Sequence, residues 1–201
     1  MKESYFTIEK ESHGLFKDRG SKFLSFAYPV TTEDEIKNHL DKLRKEYHDA
    51  RHHCYGWRLN PDNSLSRAND DGEPSNSAGK PILNQIESKK LSNVLVVVIR
   101  YFGGTLLGVG GLINAYRTAA AEALENNRII KKYIYKSYKI SFHYGLMNAV
   151  MKIIKEHDLE NFDHEFEMSC SLKVNIRIIL AEKVLDQFKL IDGCELEELD
   201  L

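Results

Sequence analysis

Three stretches of this 201-residue chain hold residue types at spacings that chemistry can use. The first is Asp70-Asp71-Gly72-Glu73-Pro74-Ser75, followed at once by Ser77-Ala78-Gly79-Lys80. Three carboxylates in one turn can hold a divalent cation or work as an acid and a base. The same string is also ordinary turn composition. The second stretch runs from Arg100 to Gly111 and holds Gly103, Gly104, Gly108, Gly110 and Gly111, five of the twelve glycines. Between a buried strand and a helix, such glycines can expose backbone N–H groups to an anion such as phosphate. They can equally serve tight turns and close packing. Neither named phosphate fingerprint is present. Leu112-Ile113 follows Gly111 where a P-loop needs Lys-Ser/Thr, and Ile113 stands where the third glycine of G-x-G-x-x-G belongs.

The third stretch is His52-His53-Cys54. Adjacent strand residues point to opposite faces, so the two histidines do not readily share a metal. His52 and Cys54 share a face, but no other cysteine lies in this half of the chain, and no zinc or other metal is expected. His52 is left as a phosphate contact, a general base or a surface histidine. Ser77 and Lys80 match S-x-x-K, but neither S-D-N nor K-T-G follows, so the match is chance. Arg51, Arg58, Arg67, Lys80, Arg100 and Arg117 surround these stretches, with Tyr101, Phe102 and Tyr116 interleaved. Basic and aromatic residues on one surface suit single-stranded RNA. Tyr116 lies on the apolar side of its helix and reads as core.

The elements that must position these residues follow from periodicity. Residues 5–8 and the pair of runs around Asp18-Arg19-Gly20 read as antiparallel strands. Thr32 with Glu35 is a capping box, and Ile36, Leu40, Leu43 and Tyr47 recur at helical spacing, which predicts a helix over 33–47. Residues 52–59 alternate as a strand with His53, Tyr55, Trp57 and Leu59 toward the core and His52, Cys54, Gly56 and Arg58 away from it. Residues 60–80 read as one long polar loop, a length that is usually functional or disordered. Pro81 opens a helix to about residue 89. Residues 94–99 are apolar on both faces and predict a central strand. A helix is expected from Leu112 to the Asn126-Asn127 stop. From Tyr133 the pattern resets to strand, helix, two strands, helix, strand, the βαββαβ order of a ferredoxin-like domain. No flexible linker precedes it, so a short junction near 128–136 and two packed domains are expected.

Composition bounds the rest. Hydrophobic residues make up 42% and charged residues 29%, which excludes a disordered or fibrous chain. No apolar run reaches the ~18 residues of a membrane span, and the first residues carry no apolar signal core. Three scattered cysteines without C-x-x-C argue for a reducing, cytoplasmic setting. The net charge of -2 argues against a generic nucleic-acid binder. Residues 1–135 carry 20 basic and 17 acidic residues, and residues 136–201 carry 8 and 13, so any positive patch belongs to the first part.

The motif stretches together resemble the YigZ/IMPACT family: Ala50-Arg51-His52-His53-Cys54, Asp70 to Ser75 with Ser77 to Pro81, and Arg100 to Gly104 with Leu107 to Leu112 and Ala115-Tyr116. Three long motifs in order make the resemblance specific over residues 1 to about 130. The βαββαβ tail is similar to the C-terminal domain of the bacterial members. The resemblance implies an α+β protein. Residues 1–132 would form a ribosomal-protein-like α/β domain of the elongation factor G type, and residues 133–201 a ferredoxin-like βαββαβ domain. Eukaryotic relatives regulate translation by binding a protein that activates a stress kinase. No established catalytic residue carries over, and no cofactor is implied. Many relatives have Gly-Thr where this chain has Asn76-Ser77, Thr at Val109, and some a basic residue at Leu106 or Asn114. The last three departures remove polar or positive groups from a nucleic-acid surface.

Two functions are then expected to compete. One is a translation-linked regulatory or binding protein whose first domain engages RNA, the ribosome or a translation factor. The other is an enzyme acting on a small phosphorylated or nucleotide ligand. The shared candidate binding residues are His52, Asp70, Asp71, Glu73, Ser75, Ser77, Lys80, Arg100, Gly103, Gly104, Gly108, Gly110 and Gly111. No membrane partner is expected.

Overall fold

The computed structural model describes residues 2–199. The chain forms two compact units, Ser4–Lys132 and a second that joins the residues before Ser4 to those from Tyr133 onward.

The first unit is built on a five-stranded antiparallel sheet. Strands β2 (Ser12–Asp18) and β3 (Ser21–Pro29) form a hairpin. Arg19 and Gly20 at its tip have φ of 45° and 81°, the paired left-handed geometry that matches strand twist in a two-residue turn. With β4 (His52–Leu59), β5 (Leu65–Asn69) and β6 (Val94–Tyr101), the order across the sheet is β2-β3-β6-β4-β5. A separate two-stranded sheet pairs β1 (Ser4–Ile8) with β7 (Ile129–Tyr133). Central β6 is buried from Val94 to Ile99, as its unbroken apolar run predicts.

Helices cover both faces of this sheet. On one face Leu95, Val97 and Ile99 pack with Ile36, Leu40 and Leu43 of α1 (Glu33–Glu46). The Thr32 hydroxyl accepts from the Glu35 N–H, as the capping box predicts. The Glu35 carboxylate reaches back one residue further than expected, to the Thr31 N–H, and that bond lowers its pKa. On the other face Val94, Val96 and Val98 pack with α2 (Gly79–Ser88) and α3 (Gly108–Glu125).

Three expectations need correction. The second face of β4 is not solvent: Cys54 is fully buried against the α2/α3 layer, while Tyr55 and Trp57 pack on the α1 side. The polar stretch 60–80 contains β5, which pairs with β4 although four of its five residues are exposed. Helix α3 starts at Gly108, not Leu112. Glycine's poor helix propensity argues against that start. Burial of Leu107 and Leu112 in the core on either side overrides it.

The second unit runs β8 (Tyr135–His143), a 3-10 turn, α4 (Met147–Glu156), β9 (Glu160–Phe166), β10 (Ser169–Arg177), α5 (Ala181–Lys189) and β11 (Cys194–Leu199). The sheet order is β11-β8-β10-β9, every pair antiparallel. Ile140, Phe142, Leu172, Val174 and Ile176 form its core with Val150, Ile154, Val184 and Phe188 of the two helices.

Helix α2 lies directly on the backbone of β4. A Cβ at Gly56 would sit 2.8 Å from the Leu83 nitrogen and 2.9 Å from its Cα. Gly56→Ala is expected to destabilise by about 1–3 kcal/mol through overpacking. Denaturant unfolding measures this, and a neutral substitution would contradict such close packing.

Candidate functional site

Arg100 lies near the end of β6, with Phe23 of β3 and His52 of β4 as its partners across the sheet. Its guanidinium carbon is 5.6 Å from the ring centres of both Phe23 and Phe102. Its Nη1 donates to Glu73 Oε1 at 2.6 Å, with side-chain exposures of 7% and 4%. The Tyr116 hydroxyl donates to the same carboxylate oxygen at 2.8 Å. A buried carboxylate is tolerable only with such partners, and both are charge-assisted bonds. Cys54 Sγ lies 2.9 Å from the Asp70 carbonyl oxygen and 3.4 Å from the Tyr116 hydroxyl. Burial pushes the Cys54 thiol and the Tyr116 phenol well up, and Glu73 adds to both shifts. Both keep their protons at neutral pH.

The carboxylates of the acidic turn are equally committed. Asp71 and Gly72 have φ of 42° and 87°, and the Glu73 N–H donates to the Asp70 carbonyl at 3.0 Å. This turn aims each side chain at a different target. The Asp70 carboxylate accepts from the N–H groups of Asn76 at 2.8 Å, Ala78 at 3.0 Å and Gly79 at 2.8 Å. It therefore caps α2, whose own first residues supply no side-chain cap. The Asp71 carboxylate accepts from the His53 N–H at 2.7 Å and lies 3.9 Å from Arg44. The Asp71 carbonyl is 2.8 Å from His52 Nδ1. Buried His53 has its pKa lowered by burial. Ser77 is fully buried and its hydroxyl donates to the Pro74 carbonyl at 2.6 Å. Ser75 is exposed, and exposed Lys80 lies 3.8 Å from Glu87.

The glycine segment divides in two. Gly103 lets two backbones touch: a Cβ there would sit 1.9 Å from the Gly20 carbonyl carbon, and its N–H donates to Ser21 Oγ at 3.1 Å. That locks the segment to the β2–β3 turn. Gly104, Gly108 and Gly110 face open space. Gly108, Gly110 and Gly111 form the first turn of α3, which has no side-chain cap.

The acidic turn thus bonds to the other two motifs at one end of the sheet, and those two, without the acidic turn, line a cleft of about 520 Å³. Arg51, His52, Arg100, Tyr101, Phe102 and Leu106 line it, with Asp49 and Ala50. The Tyr101 hydroxyl donates to Asp49 at 2.7 Å, and this bond pushes its pKa up to about 12. Beside the cleft stands an apolar ridge: Phe102 is 55% exposed, Leu106 81%, Val109 53% and Ile113 37%. The basic residues do not gather there. Exposed Arg51 lines the cleft, but Arg67 lines a separate notch beside Trp57. Arg58 donates to the Leu91 carbonyl at 3.4 Å, and Arg117 to Asn114 at 2.6 Å. Among the described residues no group of three or more His, Cys, Asp or Glu is placed to hold a metal ion. No described helix is long and apolar enough to cross a membrane.

Sequence reasoning missed Tyr116 as the partner of Glu73, and it missed the ridge. Helical spacing reads Ile113 as inward with Tyr116, Ala119, Ala120, Ala123 and Leu124, whereas the structure buries Leu112 and Ala115 with that stripe and leaves Ile113 37% exposed.

Residues 19–124 match the family model described as the Impact N-terminal domain. The chain is similar to the IMPACT family member YvyE of Bacillus subtilis, 31% identical over 156 residues, 78% of this chain and 72% of that one. It is similar to the Protein IMPACT homolog of Saccharomyces cerevisiae, 38% identical over 96 residues, 45% of this chain and 36% of the yeast protein. A crystal structure of a hypothetical protein matches with a TM-score of 0.75 and 25% identity, covering 100% of this chain and 99% of the other.

Two outcomes are expected. Asp70→Ala removes the cap of α2 and should cost about 1–2 kcal/mol, measured by chemical unfolding against Asp62→Ala as an exposed control. The second concerns alkaline pH. The folded chain holds the Cys54 and Tyr116 protons above their ordinary values of 9.0 and 10.0, whereas the unfolded chain releases them there. Stability should therefore be full below about pH 9 and fall as pH rises beyond it. Cys54→Ala should flatten the first part of that fall. A thermal midpoint independent of pH from 8 to 11 would contradict it.

Proposed function

The chain belongs to the IMPACT family, and on that premise we propose that it is a translation-linked regulatory protein whose first domain binds a component of the translation apparatus. The carrying observation is that the acidic motif is structural. Asp70, Asp71 and Glu73 are all bound within the fold, the Cys54 thiol is protonated, and what remains exposed beside them is an apolar ridge. This favours a binding module over an enzyme acting on a small phosphorylated ligand, because no motif carboxylate is free to move a proton.

Among the partners considered, the geometry favours a protein, either a translation factor or a ribosomal protein. Phe102, Leu106, Val109 and Ile113 expose apolar side chains of the kind that protein interfaces bury. Exposed Arg51 and the uncapped first turn of α3 flank it and suit carboxylates at the margin of the partner's apolar contact. RNA is less well served, since Arg67 lines a separate notch, Lys80 and Arg117 have other partners and Arg100 is buried on Glu73. Such a role belongs in the cytoplasm.

We read the fold in the same terms. The division at residues 132 and 133 supports two domains. The βαββαβ order with strands arranged β11-β8-β10-β9 supports a ferredoxin-like second domain. The first domain is taken as the elongation factor G type, on the family relation.

The test is binding of the labelled full chain to purified ribosomes and purified translation factors, with single-stranded RNA alongside. Leu106→Ser with Val109→Ser should weaken binding at least tenfold while leaving unfolding within about 0.5 kcal/mol, as exposed sites do. Binding indifferent to the pair would overturn the ridge as the contact. RNA binding that falls steeply with salt and is lost in Arg51→Ala would favour the nucleic-acid reading instead.

A further inference from the structure

A second concavity of about 630 Å³ lies between α1 and edge strand β2, on the sheet face away from Arg100. Its walls are aromatic: His13, Phe26, Tyr28 and Tyr47, with Leu15 and Leu24. The Phe26 and Tyr47 rings are 5.5 Å apart at 51°, and His13 meets Phe26 edge-on at 5.1 Å and 77°. Glu11, Glu46 and Glu122 line the same groove against a single cation, Lys42. Among the described residues none of these three carboxylates forms a salt bridge. Tyr28 reports the resulting field: burial first, then Glu11 and Glu46, push its phenol up to about 12.

Aromatic faces and carboxylates without a salt bridge together select a cation. The ring faces attract positive charge through their quadrupole, and the carboxylates supply acceptors. A planar guanidinium uses both, since it stacks on a ring while its N–H groups reach a carboxylate. A phosphate or an acidic segment would be repelled. The groove is too large for one guanidinium and runs beside an edge strand where Leu15 is 45% exposed, so residues flanking the cation also find apolar surface.

We infer that this groove docks an arginine of a basic segment from a partner protein, by stacking on half-buried Tyr47 over the buried Phe26 floor and pairing with Glu11 and Glu46. It is opposite in charge preference to the ridge at Phe102 and does not depend on it. The first domain then presents two faces of different chemistry, one for an apolar contact with acidic margins and one for a basic segment.

The test uses the full chain in heteronuclear NMR at low salt, titrated with a Gly-Arg-Gly-Arg-Gly peptide and with its glutamate counterpart. The arginine peptide should shift resonances within residues 11–15, 24–28 and 42–47, and the glutamate peptide should not. Glu11→Lys with Glu46→Lys, both at exposed positions, should weaken binding at least tenfold. Lys42→Glu should tighten it. Tyr47→Ala should weaken it with every carboxylate retained, which separates stacking from bulk charge. Glu195→Lys, on the acidic second unit, and Phe102→Ser, on the ridge, should leave it unchanged. Absence of binding, shifts centred on β11, or indifference to the double charge reversal would overturn the inference.

Discussion

A buried carboxylate and a buried guanidinium hold the motif end of the first unit together. Glu73 and Arg100 each lose their water, and each is tolerable only because the other is there, 2.6 Å away. Tyr116 donates to the same oxygen and ties the pair to α3. The Arg100 guanidinium also lies 5.6 Å from the ring centres of both buried Phe23 and exposed Phe102. One ion pair therefore connects the acidic turn, the central strand, the glycine segment and the longest helix of the unit.

This constraint reassigns the motif's chemistry. A cluster of Asp, Glu, His and Cys looks like a reaction centre when read as a string. In the fold, Asp70 caps α2, Asp71 pins β4, Glu73 neutralises Arg100, and Cys54 is a protonated thiol under the turn. Polar residues that build a rigid turn have a consequence outside it: the segment that follows β6 is anchored by buried Leu107 and Leu112 and leaves Phe102, Leu106, Val109 and Ile113 exposed. These are four large apolar residues exposed within one short stretch of chain. Within the same unit, the aromatic groove under α1 offers carboxylates where the ridge offers an arginine and helix N–H groups.

What was legible in the sequence was local. The Arg19-Gly20 turn, the Thr32 cap, the apolar run of β6 and the helical spacing of α4 and α5 each depend on neighbours within a few residues. Strand β5 was illegible because its residues Leu65-Ser66-Arg67-Ala68-Asn69 carry little β preference and are exposed except at Asn69, so pairing with β4 alone makes it a strand. The start of α3 was misplaced because glycines are weak helix formers, and the burial of Leu107 that fixes it is tertiary. At the site, the meeting of the three motifs was readable from their flanking strands. The roles were not: Arg100 finds Glu73 across 27 residues and Tyr116 finds it across 43, distances at which spacing carries no information.

The central claim is that Glu73 and Arg100 act as one structural unit and not as separate functional groups. A double-mutant cycle on global unfolding tests it, with Glu73→Gln, Arg100→Met and the two combined. Each single change leaves one buried charge without its partner and should cost about 3–5 kcal/mol. The double variant removes both charges and should cost clearly less than the sum, with a coupling of about 2 kcal/mol or more. Single costs below about 0.5 kcal/mol that add without coupling would contradict the account and return both side chains to the list of groups free to act on a ligand.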